Sequence, residues 1–259
     1  MPTTDQSTGL GPSEKGASSF RTMMTALRDV QGDTPQWPLI LRGLLQAECL
    51  RQQPQLIPYK STVAISRHDE SPDGIRVPEK KAVRELYTTC VKNDQSVFQI
   101  GAGENREEFL LLGWEWPNQD DQSRRAADLV ALNSKGGLVV FEAKLGNNRD
   151  TPFTAVLEGL DYLVHLTLHQ NFRQIVETVA KWKTAGTLDP PQSFANVVPS
   201  LSSRHEVIVL APPAYYDKYD RTERGHGWEE FRNAASDEAA FVDIRFAKTD
   251  FTGSPGSWA

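Results

Sequence analysis

Three charged side chains stand within one short, otherwise apolar part of the sequence. Asp128 opens a run of small and aliphatic residues, and Glu142 and Lys144 lie two positions apart in a second apolar run. Because strand side chains alternate between the two faces of a sheet, Glu142 and Lys144 must share a face. An acid and an amine are costly to bury unless they have partners, so this pattern indicates a site for chemistry.

The two runs have the pattern of a β-hairpin, with strands over residues 128–133 and 138–145. A three-residue loop over 135–137, with a glycine in the left-handed conformation, would place Asp128 opposite Lys144 and on the same face. A two-residue turn would place Asp128 on the other face. We predict the three-residue loop or an equivalent bulge.

Two carboxylates and an ammonium that meet at a strand end are suited to metal-assisted hydrolysis of a phosphodiester. Mg²⁺ prefers oxygen ligands and keeps several waters, so one or two carboxylates and a substrate phosphate can hold it. The cation activates a water, and a lysine orients that water or stabilises the transition state. A structural ion pair on an exposed sheet is the alternative, since such Glu-x-Lys pairs are common. The apolar residues around the pair argue against an exposed sheet.

The pattern of an aspartate, a turn and then Glu-x-Lys resembles the PD-(D/E)XK, or restriction-endonuclease-like, nuclease superfamily. The matching residues are Asp128, Glu142 and Lys144, and Ala127 stands where the proline of the family name would be. The resemblance covers about residues 78–211 and implies an α/β fold with a mixed central sheet flanked by helices. It implies a nuclease that depends on Mg²⁺ or Mn²⁺ and acts on nucleic acid, most commonly DNA, in repair, restriction or antiphage defence. Asp128 and Glu142 would bind the metal, and Lys144 would align or activate the attacking water.

The resemblance also implies roles for residues before the hairpin. In this superfamily a glutamate on the helix before the core sheet commonly reaches the metal. The helical phase of residues 79–91 assigns that role to Glu79, with Glu85 as the alternative. A first-turn glutamate stabilised by the helix dipole explains Glu79 equally well. Arg124 and Arg125 would contact a substrate phosphate, although a solvated pair of arginines is the simpler interpretation.

The helix after the hairpin carries a Gln and, four residues later, a Tyr in many relatives. The corresponding residues here are Glu158 and Tyr162, so the tyrosine matches as a substrate-binding residue and the glutamate departs from the pattern. Glu158 could support a metal-bound water or could lie on a solvated helix face, and the solvated face is the favoured interpretation.

Composition and charge limit the class of protein. The chain has 259 residues, of which 39% are hydrophobic, and a net charge of -6. No apolar run approaches the ~20 residues that span a bilayer, and the N-terminus lacks a signal peptide's apolar core, so a cytoplasmic protein without membrane contact is expected. The negative charge counts against tight non-specific duplex binding, but local basic patches and bound cations dominate the field near a site. Cys49 and Cys90 lack metal-ligand spacing and are expected to be reduced thiols.

Periodicity and turn residues predict the order of the other elements. Helices are predicted over 79–91, from about 151, over 171–183 and over 228–235, and strands over 96–100, 108–116, 207–211 and 241–246. Residues 1–19 are expected to be a disordered tail, 20–54 an N-terminal helical hairpin, 55–252 the nuclease-like domain and 253–259 a loose C-terminus.

Two other functions remain open at this point. One is a catalytically silent module with the nuclease fold that binds nucleic acid or a protein partner. The other is a docking protein that acts through the N-terminal helical hairpin, which is also a possible contact between the subunits of a homo-oligomer.

Overall fold

The hairpin that carries Asp128 and Glu142 lies in the middle of a seven-stranded sheet in the computed structural model of this chain. The structure describes residues 78–93, 95–117, 126–167, 169–220 and 242–259. The predicted tail, the N-terminal helical hairpin, Arg124, Arg125 and the predicted helix over 228–235 therefore lie outside the described residues.

The strands follow one another in the sheet in the order of the chain. They are β1 Val97–Ile100, β2 Glu107–Pro117, β3 Ala126–Leu132, β4 Leu138–Ala143, β5 His205–Ala211, β6 Val242–Lys248 and β7 Ser257–Trp258. The first four pair antiparallel, β5 and β6 continue the sheet in parallel to β4, and β7 pairs antiparallel with β6. The predicted mixed sheet is thus confirmed.

Four helices accompany the sheet in the described part of the chain. They are α1 Pro78–Asn93, α2 Pro152–Thr167, α3 His169–Thr184 and α4 Pro213–Asp220, with short 3₁₀ turns at Gly103–Asn105 and Gln192–Phe194. The prediction of a sheet flanked by helices is confirmed, and none of the helices described has both the length and the apolar character that crossing a bilayer needs.

The two faces of β4 serve different purposes. Phe141 and Ala143 point into an apolar core that also contains Leu86 and Tyr87 of α1. Glu142 and the residues two positions before and after it, Val140 and Lys144, point to the other face, toward α2. The apolar face fixes β4 against α1 and leaves the opposite face to carry charge.

A glycine allows α2 to lie close to the charged face of the sheet. A Cβ atom at Gly159 would stand 2.5 Å from Val207 Cγ1 of β5, which is closer than any real contact. Because Gly159 has no side chain, the helix can approach the strand. This close approach brings the preceding residue, Glu158, within reach of the end of β4.

The register of the central hairpin differs from the prediction by two positions. Leu132 pairs with Leu138 and Leu129 with Phe141, which brings Asp128 opposite Glu142 rather than opposite Lys144. The loop has three residues and a left-handed glycine as predicted, but it covers 134–136, with Gly136 at φ 83°. Since a shift of two positions preserves the face, Asp128 still lies on the same side as Glu142.

The side chain of Asn133 explains this register. Its Oδ1 accepts hydrogen bonds from the backbone N–H of Lys135 at 3.0 Å and of Gly137 at 2.8 Å. Its Nδ2 donates to the Arg204 carbonyl oxygen at 3.1 Å and to Glu206 Oε1 at 2.9 Å. An asparagine that bonds the backbone two residues later starts a turn, so the loop begins one residue earlier than predicted.

The C-terminus is not loose, which corrects the prediction for 253–259. Ser257 and Trp258 form β7, and Gly256 bridges to Ile100 of β1. The guanidinium carbon of Arg245 lies 3.4 Å from the centre of the Trp258 ring. The sequence hides this strand because it is two residues long, too short for alternation to be visible.

We predict that Gly137→Ala destabilises the fold. A Cβ at Gly137 would lie 1.9 Å from the Arg204 carbonyl oxygen, so the hairpin or the segment before β5 must move. The free energy of unfolding in urea should fall by about 1–3 kcal/mol or more. Gly146→Ala is the matched control, since its nearest neighbour would be 3.6 Å away, an ordinary contact. Equal losses in the two variants would contradict the close approach at Gly137.

Candidate active site

Asp128 and Glu142 lie side by side at the end of the central hairpin. The ladder between β3 and β4 ends where Leu129 faces Phe141, so Asp128 and Glu142 occupy the next position along the two strands. Asp128 Oδ2 accepts a hydrogen bond of 2.8 Å from the backbone N–H of Ala143. The aspartate carboxylate replaces a ladder hydrogen bond and is thereby held against β4.

Glu142 and Lys144 are almost completely buried, with 5% and 3% of their surfaces exposed. Lys144 Nζ donates to Glu142 Oε1 at 2.8 Å. The other oxygen, Glu142 Oε2, is buried and has no hydrogen-bond partner. A buried carboxylate oxygen without a donor is unfavourable, so Glu142 Oε2 is an atom that needs a proton or a cation.

Glu158 of α2 is a second partner of the same lysine. Its Oε2 accepts a hydrogen bond of 2.8 Å from Lys144 Nζ, and its side chain is 28% exposed. The favoured interpretation of Glu158 as a residue of a solvated helix face is therefore wrong. The signal available in the sequence was the correspondence of Glu158 to a glutamine that faces the site in many members of the superfamily that the chain resembles. Its distance from Lys144 could not be read from helix periodicity.

Glu79 lies near the charged cluster of Asp128, Glu142, Lys144 and Glu158, and Glu85 lies away from it. Glu79 Oε2 accepts a hydrogen bond of 2.7 Å from Asn148 Nδ2, and the charge of Glu79 contributes to raising the pKa of Asp128. Glu85 is exposed and stands 3.9 Å from Lys81 on the same helix. The placement agrees with the choice of Glu79 made from helical phase, while its role as a metal ligand remains a prediction.

Sequence reasoning missed Asn148. The side chain of Asn148 binds Glu79, and its carbonyl oxygen accepts a hydrogen bond of 3.3 Å from Lys218 Nζ of α4. Tyr215 Oη of the same helix donates to the Asp150 carbonyl oxygen at 2.9 Å. These contacts fix the loop after β4. The pair of asparagines directly after the charged strand was the only signal for it in the sequence.

Of the three predicted substrate-binding residues, the structure describes only Tyr162. Tyr162 lies one helical turn after Glu158 on α2 and is half-buried. Arg124 and Arg125 precede β3 and lie outside the described residues. All three roles remain predictions.

Burial and mutual repulsion disfavour the charged form of both strand carboxylates. Burial raises the pKa of Asp128 from 3.8 to about 7, against the opposing effects of Lys144 and of the Ala143 N–H. Burial, and then the charge of Asp128, raises the pKa of Glu142 well above its usual range. Burial acts to lower the pKa of Lys144, but the charges of Glu142 and Glu158 outweigh it and raise that pKa. Lys144 is therefore an ammonium at neutral pH.

Two close carboxylates with raised pKa values are suited to bind either a proton or a cation. Across residues 78–220 and 242–259, as far as these are described, no group of three or more His, Cys, Asp or Glu side chains is placed to hold a metal ion. Mg²⁺ does not need three, because it binds through one or two carboxylates and completes its shell with water and phosphate. Asp128 and the unpaired Glu142 Oε2 fit such a cation, and Mn²⁺ accepts the same oxygen ligands.

Stability should depend on pH through Asp128. Its pKa is 3.8 in the unfolded chain and about 7 in the folded protein, so between these values the folded protein binds more protons. The free energy of unfolding must then fall as pH rises through this window. Asp128→Asn keeps an acceptor for the Ala143 N–H but cannot ionise. In metal-free buffer we expect urea unfolding to show a shallower fall between about pH 4 and about pH 7 in the variant than in the wild type. Parallel profiles would contradict the raised pKa.

Comparisons with known proteins leave the family undetermined. No protein-family model, no curated protein and no solved structure matches this chain. The family resemblance therefore remains a prediction that rests on Asp128, Glu142 and Lys144 and on the elements that position them.

Proposed function

We propose that this chain is a divalent-cation-dependent nuclease that hydrolyses phosphodiester bonds, with DNA as the expected substrate. The observation that supports this most directly is the unpaired, buried oxygen Glu142 Oε2 beside Asp128, on the same face as a buried ammonium. In a structural ion pair both oxygens of a buried carboxylate usually have hydrogen-bond donors. At a cation site, one carboxylate oxygen has no donor until the cation binds.

The order of the elements supports the same proposal. A helix, α1, precedes four antiparallel strands, β1 to β4, and α2 then leads to a buried strand, β5, that runs parallel to β4. This order is compatible with the mixed central sheet flanked by helices that the resemblance to the PD-(D/E)XK superfamily implies. The candidate residues stand at the end of β4, beside Glu79 in the first turn of α1 and Glu158 in the second turn of α2.

Asp128 and Glu142 would hold Mg²⁺ or Mn²⁺, and Glu79 would support the cation from the first turn of α1. When bound, such a cation lowers the pKa of a water and neutralises charge on the phosphate. The two carboxylates provide oxygen ligands whose protons the cation would displace. In this proposal Asp128 and Glu142 bind the cation, Glu79 supports it through its charge, and none of the three acts on the substrate directly.

Lys144 would act as a hydrogen-bond donor and a positive charge rather than as a base. Because its carboxylate partners keep it an ammonium at neutral pH, it cannot take a proton from water. It can donate to the attacking water or to a phosphate oxygen on which negative charge develops. Of the two roles considered for Lys144, aligning the water fits better than activating it.

Cation binding is testable apart from catalysis. We expect Mn²⁺ or Mg²⁺ to raise the unfolding temperature of the wild-type protein at about pH 8, by the equivalent of about 2.7 kcal/mol at 100 times the dissociation constant. Asp128→Asn and Glu142→Gln should lose most of this shift, because each removes a ligand charge. Glu177→Ala, which removes an exposed carboxylate on α3, is the control. A shift equal in all four proteins would place the cation elsewhere.

Catalysis is tested with plasmid DNA and with labelled single- and double-stranded oligonucleotides in Mn²⁺, in Mg²⁺ and in EDTA. We expect cleavage only with a divalent cation, and a reduction of about 100-fold or more in Lys144→Met. Lys135→Met is the matched control, since Lys135 is an exposed lysine in the loop of the same hairpin. Circular dichroism of each variant checks that folding is retained.

The outcome also decides the alternative function. The net charge of -6 and the glutamate at 158 argue for a silent module, whereas the intact Asp128, Glu142 and Lys144 argue against it. If the wild-type protein and Lys144→Met are equally inert with every metal and substrate while both bind DNA, the chain is such a module and the nuclease proposal fails.

A further inference from the structure

Glu158 contacts the cluster in a way that the proposed function leaves unexplained. Its Oε2 accepts a hydrogen bond from Lys144 Nζ of the same length, 2.8 Å, as the bond from Lys144 to Glu142 Oε1. We propose that Glu158 is a positioning residue that holds the Lys144 ammonium in one direction, so that Glu142 keeps its second oxygen free for a cation. The effect on the reaction rests on the proposed function, whereas the location of the ammonium does not.

The donor capacity of an ammonium supports this inference. Lys144 has three N–H donors and no acceptor, and Glu142 and Glu158 take one each. The third N–H remains for a water or a phosphate oxygen. With Glu142 as its single partner, the ammonium could turn about that one bond or move to the other carboxylate oxygen. A second partner on a different element restricts both movements.

Glu158 is itself well placed to restrain Lys144. It stands on α2 directly before Gly159, where the helix lies so close to β5 that a Cβ would approach Val207 Cγ1 to 2.5 Å. Thr154 and Thr151 at the start of the same helix bond to each other, with Thr154 N–H donating to Thr151 Oγ1 at 3.3 Å. Because α2 is fixed at its first turn and packs closely on the sheet, Glu158 can occupy only a narrow range of positions.

The position of the ammonium is tested by NMR on protein with ¹⁵N-labelled lysine side chains. A buried ammonium held by two carboxylates exchanges its protons slowly with water, so we expect a Lys144 signal, assigned by its absence in Lys144→Met. Glu158→Ala should raise the exchange rate by roughly tenfold or more. Glu158→Gln keeps an acceptor oxygen and should retain the signal. Glu177→Ala removes a carboxylate from α3 that pairs only with Arg173 in the described structure, and should leave the signal unchanged.

The effect on the reaction is tested by steady-state cleavage of DNA with Mn²⁺. We expect Glu158→Ala to lower kcat by about 10- to 100-fold, the usual effect of losing a residue that orients a group at a metal site. The KM for DNA should change by less than about threefold, since Glu158 does not contact substrate in this proposal. Glu158→Gln should recover most of kcat. Should Glu158→Ala fail to fold, Glu158→Met removes the acceptor and keeps a comparable volume.

Different results overturn different parts of the argument. An unchanged Lys144 signal in both Glu158→Ala and Glu158→Met would overturn the positioning role of Glu158, whatever the cleavage results. A folded Glu158→Ala variant with wild-type kcat would overturn the effect of Glu158 on the reaction. If the Lys144 signal depends on Glu158 while the wild-type protein cleaves no substrate, the positioning of the ammonium is supported and the proposed nuclease function fails.

Discussion

One buried ammonium faces an excess of carboxylates, and the rest of the structure depends on this imbalance. Lys144 pairs with Glu142 and Glu158, and Asp128 adds a third acid beside them. Removing charges from water costs several kcal/mol for each ion, and pairing recovers that cost only when each atom finds a partner. One oxygen of Glu142 does not. In the function proposed above, the cation would supply the partner that this oxygen lacks.

The scaffold separates the task of folding from the task of holding these charges. Phe141 sits edge-on to the rings of Phe98 and Phe109, with centroids 5.9 and 5.5 Å away, and anchors the strand on its apolar face. The charged face meets a helix that approaches closely only because Gly159 lacks a side chain. Because the apolar face of β4 provides stability, the charged face can keep a buried oxygen without a hydrogen-bond partner. Functional sites commonly contain such unfavourable groups.

Local patterns in the sequence were sufficient for the first six strands, for α1 to α3 and for the common face of Asp128, Glu142 and Lys144, because alternation and helical phase are properties of neighbouring residues. The pairing register was not predictable in the same way. It depends on Asn133, whose side chain reaches the segment before β5, far away in the chain. The contact between Glu158 and Lys144 is likewise tertiary, since it requires the distance between a helix and a strand.

The seventh strand has a consequence for association. The segment that ends in β7 covers the outer side of β6, and Gly256 exchanges backbone hydrogen bonds of 2.9 and 2.8 Å with Gly101 and Gln99 at the outer side of β1. Outer strands with unpaired backbone groups are the usual templates for joining two molecules into a continuous sheet. Here the last residues of the chain occupy parts of both borders. A second copy could pair with these parts of the two borders only after residues 256–258 had been displaced.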